Sequence, residues 1–498
     1  MNKLLYIIIL LSIISISFLL YSSARYPLLS SDDAINILMA HYYGLPDDLY
    51  SWGQDRGGGL LPLVSQAFIR LMGSSAVYAI SFSGYILLIG GFFGFSSLFN
   101  SRALKLLFAV VWFLPFQAYV DLLRFPIGIQ YSLLGIGIFL IKLLSETPGK
   151  PSWKFHLNMI LIVLVFIIAA WVSDFIVVNL VSLGLSLLLF QFLQTGRIRL
   201  KPLYIIYILS GLVLGMLALH YAKGSAGNGP DNYMNINSIR DALSGIVILM
   251  ERLKLNLLFK SREIFLGIYS WISLIFLLYF ILTGVQGKSR QPFFRDKWQL
   301  FFLADTILVT ATLLFSAWVL ANRMGRWYFV AVYISANLFI LLSLDRMDKQ
   351  SGIRRRLLTL FTVVVLTGAV SPFYNMIFHN PGSLRPKVKQ YSEFLKLGNA
   401  GVIGSYWHGY IVSVPDPDRI SSTPHDRESV RSFAQVERVL QNENIYLIRD
   451  SWLESFPDSI MQFGRLLVRS GEEFNMAGCN MCLYHKAIIP DTTGTGTR

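Results

Sequence analysis

The chain has 498 residues, 54% of them hydrophobic and 14% charged, with a mean hydropathy of +0.54. That composition excludes a soluble globular protein and fits a chain that crosses a membrane many times. A net charge of +14 would suit nucleic acid in a soluble protein, but here the cations sort by membrane side, which removes nucleic acid as a partner.

Apolar windows of about 17–25 residues predict about eleven spans, near 4–20, 76–98, 104–120, 126–144, 157–172, 175–193, 203–220, 263–284, 299–320, 327–344 and 357–376. With the N-terminus inside, the inner turns carry Lys3, Arg102 and Lys105, Lys142 to Lys154, Arg197, Arg199 and Lys201, Lys288 to Lys297, and Arg346 to Arg356. This positive-inside bias predicts a cytoplasmic N-terminus with Asp32, Asp33 and the tail 377–498 outside; a multi-pass protein of a bacterial inner membrane, its tail in the periplasm, is the expected location. The first span also reads as a signal peptide, because Ser22, Ser23 and Ala24 make a small-residue cleavage site, although about 17 apolar residues exceed the usual h-region.

The first outer segment, 21–75, opens with SSDDAINILMAHYYG. Asp32 and Asp33 stand there beside a membrane span, followed by amphipathic stretches at 34–43 and 60–72. Either they cap the helix that follows, with Asp32 or Ser31 accepting from backbone N–H groups, or they supply an ionised oxygen to a reacting hydroxyl or a cation. WGQDRGGGLLPL adds Gln54, Asp55 and Arg56 beside three glycines. Such a patch lets backbone approach a ligand while side chains bond its hydroxyls, and it equally forms a plain turn. In AYVDLLRFP, Asp121 and Arg124 stand at a membrane edge, where ionisable groups serve a ligand or snorkel to the interface. Asp174 marks the short turn AAWVSDFIVV.

The second outer segment, 221–262, runs from a flexible HYAKGSAGNGPDN into an amphipathic helical pattern. Its cations Lys223, Arg252, Lys254, Lys260 and Arg262 oppose the topology bias, as do Arg323 and Arg326 in the tight turn LANRMGRWYF. A phosphate gripped by bidentate guanidinium hydrogen bonds would account for them, as would anionic lipid headgroups. A lipid-linked phosphate satisfies both.

After Phe378 charges, prolines and polar turns return. GVIGSYW, NIYLIRD, RLLVRSG and MCLYHKAI read as strands and 427–440 as a helix, predicting a small outer α/β domain over 377–490 with a disordered tail, 491–498. Tyr406, Trp407, His408 and Tyr410 form an aromatic face for a sugar or pack the domain's own core. Cys479 and Cys482, with His485, read as metal ligands, as a local disulfide or as two thiols. The seven histidines make no HExxH, and there is neither a P-loop nor a dinucleotide fingerprint.

The Asp32-Asp33 pair before a juxtamembrane helix, Gly57 to Leu63 (GGGLLPL), the turn Trp171 to Asp174 and the run Arg326-Trp327-Tyr328 resemble, in their order and membrane side, the GT-C superfamily of polytopic glycosyltransferases. Within it the resemblance is to the branch of protein O-mannosyltransferases and the lipid A aminoarabinose transferase, and it covers residues 1–376. It implies an α-helical polytopic membrane protein that takes a sugar from a polyprenyl-phosphate donor. Asp32 matches the catalytic carboxylate, Asp33 its partner, and Arg326 the basic residue near the donor phosphate. Arg323, Lys260 and Arg262 are further candidates for that phosphate, and Gln54, Asp55, Arg56, Asp121, Arg124 and Asp174 for the substrate. The second acid is Asp rather than the commoner Glu, and the tail has no counterpart in the family pattern. The acceptor is therefore open among glycan, lipid and protein, and so is the presence of a divalent metal at Asp32. A lipid-linked oligosaccharide polymerase or ligase is the alternative reading, and a transporter the other, with Asp305 in FFLADTILV as its one conspicuous intramembrane carboxylate.

Overall fold

The computed structural model describes residues 2–124, 126–146, 152–198, 202–226, 235–260, 264–285, 296–348, 350–378 and 385–487. The chain forms two compact units, one of residues 1–22, 55–60 and 81–384, the other of residues 23–54, 61–80 and 385–498.

The first unit is helical: α1 (Lys3–Tyr21), α4 (Ala76–Ser96), α5 (Arg102–Phe113), α6 (Pro126–Glu146), α7 (Trp153–Val172), α8 (Ile176–Thr195), α9 (Pro202–Gly224), α10 (Ile239–Leu257), α11 (Ile264–Val285), α12 (Lys297–Phe315), α13 (Ala317–Ala321), α14 (Val330–Arg346) and α15 (Gly352–Phe378). Among the described residues nine helices are long and apolar enough to cross a membrane, and ten if one bent pair counts as a span. The protein is thus a multi-pass membrane protein, and α11 occupies the remaining span expected from the sequence. The amphipathic pattern of the second outer segment forms α10, capped by Ser238, whose hydroxyl accepts from the Asp241 N–H.

The expected span 104–120 is not one straight helix. It ends at Phe113, resumes as a 3₁₀ turn over Gln117–Leu123, and bends by 91° between them. Pro115 lies in the break, where it supplies no N–H to continue the ladder. Twelve residues of α5 reach about 18 Å, short of the ~30 Å hydrocarbon core, yet the flanking helices show that the segment crosses. On α4, a Cβ at Gly91 would collide with Ser132 and one at Gly94 with the Gly135 carbonyl of α6, and Lys142 Nζ donates to the Ser97 carbonyl at 2.6 Å. These pairs ascend together in sequence, so α4 and α6 run parallel. The chain between them must return across the membrane.

Rings from α4, α5 and α12 fill the interior: Phe92 and Phe108 stack at 5.6 Å, while Phe95 meets Trp112 at 5.7 Å and Phe302 at 5.8 Å. Asp305 of α12 lies fully buried beside this core. Its carboxylate accepts from Tyr131 of α6 at 3.0 Å, Asn179 of α8 at 2.8 Å and Ser335 of α14 at 2.5 Å. One carboxylate joins four helices. A buried acid is tolerated in apolar surroundings when its oxygens are bonded in this way.

The second unit contains α2 (Ser31–Tyr42), α3 (Leu60–Met72), α16 (Lys387–Tyr391), α17 (Tyr406–Gly409), α18 (Phe433–Gln441) and seven strands: β1 (Ala400–Gly404), β2 (Ile420–Pro424), β3 (Ile445–Arg449), β4 (Ser459–Gln462), β5 (Arg465–Arg469), β6 (Phe474–Met476) and β7 (Cys479–Lys486). The sheet order is β2-β1-β3-β7-β5-β4, with β6 paired to β7. β1 pairs in parallel with β2 and β3, and β7 pairs antiparallel with β3, β5 and β6. The stretch GVIGSYW is a strand only as far as Gly404, where the chain turns into α17; the helical pattern 427–440 is realised as the shorter α18. Every residue of β1 is buried, as a central parallel strand requires. Ile403, Val439, Leu447, Leu467 and Cys482 form its core. Cys482 and Cys479 are buried free thiols.

Candidate functional site

The N-terminus of α2 divides the two adjacent carboxylates between two tasks. Ser30 is the N-cap; its hydroxyl accepts from the Asp33 N–H at 3.2 Å, while Asp33 Oδ2 accepts from the Ser30 N–H at 3.0 Å and from its hydroxyl at 2.8 Å. That is a capping box with Asp33 in its acidic position. The cap reading of the Asp pair therefore holds for Asp33 and Ser30, and not for Asp32 or Ser31. Asp32 faces away from the cap and stays partly exposed.

Its neighbour comes from the other end of the chain. The Tyr406 hydroxyl donates to Asp32 Oδ1 at 2.6 Å, and the Ser31 hydroxyl donates to the Tyr406 carbonyl at 2.6 Å. Tyr406 begins α17, just after the carboxyl end of β1, and its backbone N–H is held by the Glu428 carboxylate. The Arg431 guanidinium lies 5.7 Å over its ring. Burial, and then the adjacent Asp32 charge, push the Tyr406 phenol well above its usual range, so it stays a donor.

The neighbouring loops carry further polar groups. After β1, His408 Nδ1 bonds Asp450 Oδ2 at 2.7 Å, and the Ser405 N–H donates to the same oxygen at 3.2 Å. Burial alone would raise the Asp450 carboxyl, but the bonds from His408 and Ser405 hold it below the usual carboxylate range. After β2, the His425 ring stacks flat on Trp452, with centroids 4.5 Å apart and planes at 10°. Burial lowers the His425 imidazole below its ordinary value, against the pull of Glu428, Asp426 and Asp450. Of the four aromatic and imidazole residues at 406–410, Tyr410 packs into the core, as the structural alternative expected, whereas Trp407 is 60% exposed. Glu428, Arg431, Asp450 and the His425–Trp452 pair escaped sequence reading. The signal available was their position, each just after a predicted or actual strand end.

At α2's other end, His41 Nε2 bonds Asp418 Oδ1 at 2.9 Å and the Tyr42 hydroxyl donates to the Pro417 carbonyl at 2.6 Å. The Arg438 guanidinium sits 3.4 Å from the Tyr42 ring centroid beside an open cavity of about 320 Å³. Gln54 closes the turn 51–54, its N–H donating to the Ser51 carbonyl at 3.1 Å.

In the helical unit, several of the remaining candidates gather at one end of the bundle. A Cβ at Gly58 would collide with the Trp171 carbonyl, so the glycine run makes its close approach to the Trp171–Asp174 turn of its own chain. Arg56 lies 5.2 Å over the Trp318 ring, and Asp174 bonds Lys223 at 2.8 Å. Arg252 Nη1 donates to the Met324 carbonyl at 2.8 Å, in a turn where Arg323 and Met324 adopt φ of 51° and 53°. The Arg323 and Arg326 side chains are exposed there, and Lys260 is exposed after α10. The 3₁₀ turn Arg326–Phe329 packs on the segment Gln117–Leu123, next to which Arg124 Nη2 meets Asp121 Oδ1 at 3.4 Å. Asp55 is partly exposed. Arg262 lies outside the described residues. Among the described residues no three His, Cys, Asp or Glu side chains group as a metal site.

No family model matches the chain, and no curated protein matches it in sequence. In structure it is similar to ArnT from Cupriavidus metallidurans, solved bound to undecaprenyl phosphate, with a TM-score of 0.56 at 10% identity over 97% of this chain and 98% of that one. The arabinofuranosyltransferase AftD from Mycobacteria aligns with a TM-score of 0.48 at 13% identity, over 96% of this chain and 39% of its own. For the oligosaccharyltransferase of Archaeoglobus fulgidus the TM-score is 0.40 at 12% identity, over 90% of this chain and 70% of that one. The ArnT likeness runs the length of both chains and is a likeness of fold.

Proposed function

We propose that the protein is a membrane glycosyltransferase that moves a sugar from a polyprenyl-phosphate donor to an acceptor hydroxyl on the periplasmic face of a bacterial inner membrane, with residues 1–376 as its transferase domain. The observation that carries this reading is the separation of roles at 32 and 33. The chain gives Asp33 to the helix cap and keeps Asp32 partly exposed, with Oδ1 accepting from a tyrosine hydroxyl.

Phosphate is already a stable leaving group, so the reaction needs a base for the acceptor and positive charge for the departing phosphate rather than a strong general acid. Asp32 Oδ2 takes the acceptor proton as the acceptor oxygen bonds to the anomeric carbon. The bond from that carbon to the phosphate oxygen breaks, through a transition state of oxocarbenium character, and polyprenyl phosphate departs with the electron pair. A single displacement inverts the anomeric centre. Arg323, Arg326, Lys260 and Arg262 are assigned to the phosphate, and Gln54, Asp55, Arg56, Asp121, Arg124 and Asp174 to orienting the substrate. ArnT, crystallised with undecaprenyl phosphate, supports the donor class. The transport alternative has Asp305 as its carboxylate, and that group is bonded on both oxygens.

The test pairs purified wild type with Asp32→Asn and measures sugar release from a panel of polyprenyl-phosphate sugars, with membrane extract as acceptor. The reading expects turnover by wild type and none by a folded Asp32→Asn. Normal turnover by the variant would remove Asp32 from the mechanism and favour the polymerase reading.

A further inference from the structure

The three parallel strands of the second unit end side by side, and the loops that leave them carry its densest group of polar side chains. Tyr406 and Trp407 follow β1, Glu428 and Arg431 follow β2, and Asp450 follows β3. In α/β sheets the crevice outside the carboxyl ends of parallel strands, where successive connections leave in different directions, is where ligands bind. Here β1 is flanked by β2 on one side and β3 on the other, so the chain crosses β1 in passing from β2 to β3. Asp32 meets this edge through Tyr406.

We infer that this crevice is the acceptor site, and that its ligand is a neutral carbohydrate stacked on Trp407. The inference rests on the glycosyltransferase reading for the word acceptor, but the sugar site stands on its own observations. First, Trp407 is 60% exposed, held edge-on to Tyr406 with ring centroids 5.4 Å apart and planes at 89°. A large apolar ring left in water at a polar edge is the usual mark of a contact surface. Second, two polar atoms at the edge, Arg431 Nε and Asp450 Oδ1, are buried and make no hydrogen bond. Buried polar atoms are seldom left so, and a donor and an acceptor together suit a ligand rich in hydroxyls, each of which both gives and takes. Third, the charge is wrong for an anion: Asp32 and the loops after the three strands bring four carboxylates, Asp32, Asp426, Glu428 and Asp450, against two guanidinium groups, Arg427 and Arg431. A phosphate or carboxylate on the acceptor would be repelled. An acyl chain would find one exposed ring and a polar rim rather than an apolar groove.

The test uses the full-length protein in nanodiscs and saturation-transfer NMR, with neutral methyl pyranosides and disaccharides as probes beside a sugar phosphate and a Ser/Thr-containing peptide. A neutral glycoside should receive saturation from wild type, and bind at least tenfold more weakly to Trp407→Ala and Glu428→Gln. Trp153→Ala, at a 70% exposed tryptophan of α7, is the control and should bind as wild type does. Trp407 is on the surface, so its removal leaves the core intact. Preference for the peptide or the sugar phosphate, equal binding by Trp407→Ala, or no binding of any neutral glycoside overturns the inference. Because binding is read without turnover, failure to consume any polyprenyl-phosphate sugar would count against the proposed reaction and leave the sugar site standing.

Discussion

The Tyr406 hydroxyl donates to Asp32 Oδ1 at 2.6 Å across 374 positions of sequence. A hydrogen bond to an ionised carboxylate is worth about 1.5–3 kcal/mol, enough to hold one rotamer and leave Oδ2 for the base role proposed above. Tyr406→Phe removes the donor and keeps the ring beneath Arg431. Steady-state kinetics should show kcat reduced by about tenfold, or about 1.4 kcal/mol in the barrier, with the donor KM nearly unchanged. A KM effect alone would mean that Tyr406 binds donor and does not position the base.

Asp33 and Asp32 should part in opposite directions. Asp33→Ala dismantles the capping box with Ser30 and should cost about 0.5–2 kcal/mol of stability, seen as a lower Tm in detergent. Asp32→Asn should keep the wild-type Tm and lose transfer. Measuring both quantities on both variants separates the cap from the chemistry.

The helix interface of α4 and α6 gives a third expectation. Gly94→Ala places a methyl group against the Gly135 carbonyl, backbone that has no rotamer to yield, whereas a Cβ at Gly184 of α8 meets nothing within 4 Å. Overpacking of this kind costs typically about 1–3 kcal/mol. Gly94→Ala should lower the thermal midpoint in detergent, and Gly184→Ala should leave it unchanged or slightly higher.

The acid limb of stability follows from two groups with depressed values. His425, pushed below 6.5 by burial, and Asp450, brought below 3.8 by His408 and Ser405, both hold fewer protons folded than unfolded near those values. Each stabilises fully above its unfolded pKa and loses that contribution as pH falls toward its folded pKa. The Tm should therefore fall as pH drops below about 6.5, and His425→Gln should flatten that part of the profile. Asp450→Asn should flatten the profile below about pH 4 and leave the first part intact.

Much of this architecture is legible in the sequence because membrane spans are long and their apolar signal is local. Asp32 is legible for a related reason: a carboxylate beside a span stands out against its neighbours. Asp33's different task is less so, since only the spacing from Ser30 to Asp33 distinguishes the two acids. The break after α5 is marked by Pro115 inside an apolar run, where hydropathy outvotes a single residue. Tyr406 could not be placed by any local pattern, because its partner lies 374 positions away and the strand before it stops at Gly404 instead of running through it. The short strands β2, β4 and β6 are similarly hidden: three to five residues carry too little alternation, and pairing to neighbours decides them.

The carboxylate that joins four helices also sets a timetable for assembly. Asn179 and Tyr131 precede Asp305 by 126 and 174 positions. At about 5–20 residues per second of synthesis, their side chains wait roughly 6–35 s before the acid that binds them exists. During that interval α6 and α8 reside in the bilayer with amide and hydroxyl groups paired only to each other, and the arrival of α12, followed by Ser335 on α14, closes the set. The nascent protein therefore passes through a stage in which its early spans are inserted but not locked, a stage during which bilayer, translocon or chaperone contacts must substitute for a side chain not yet made.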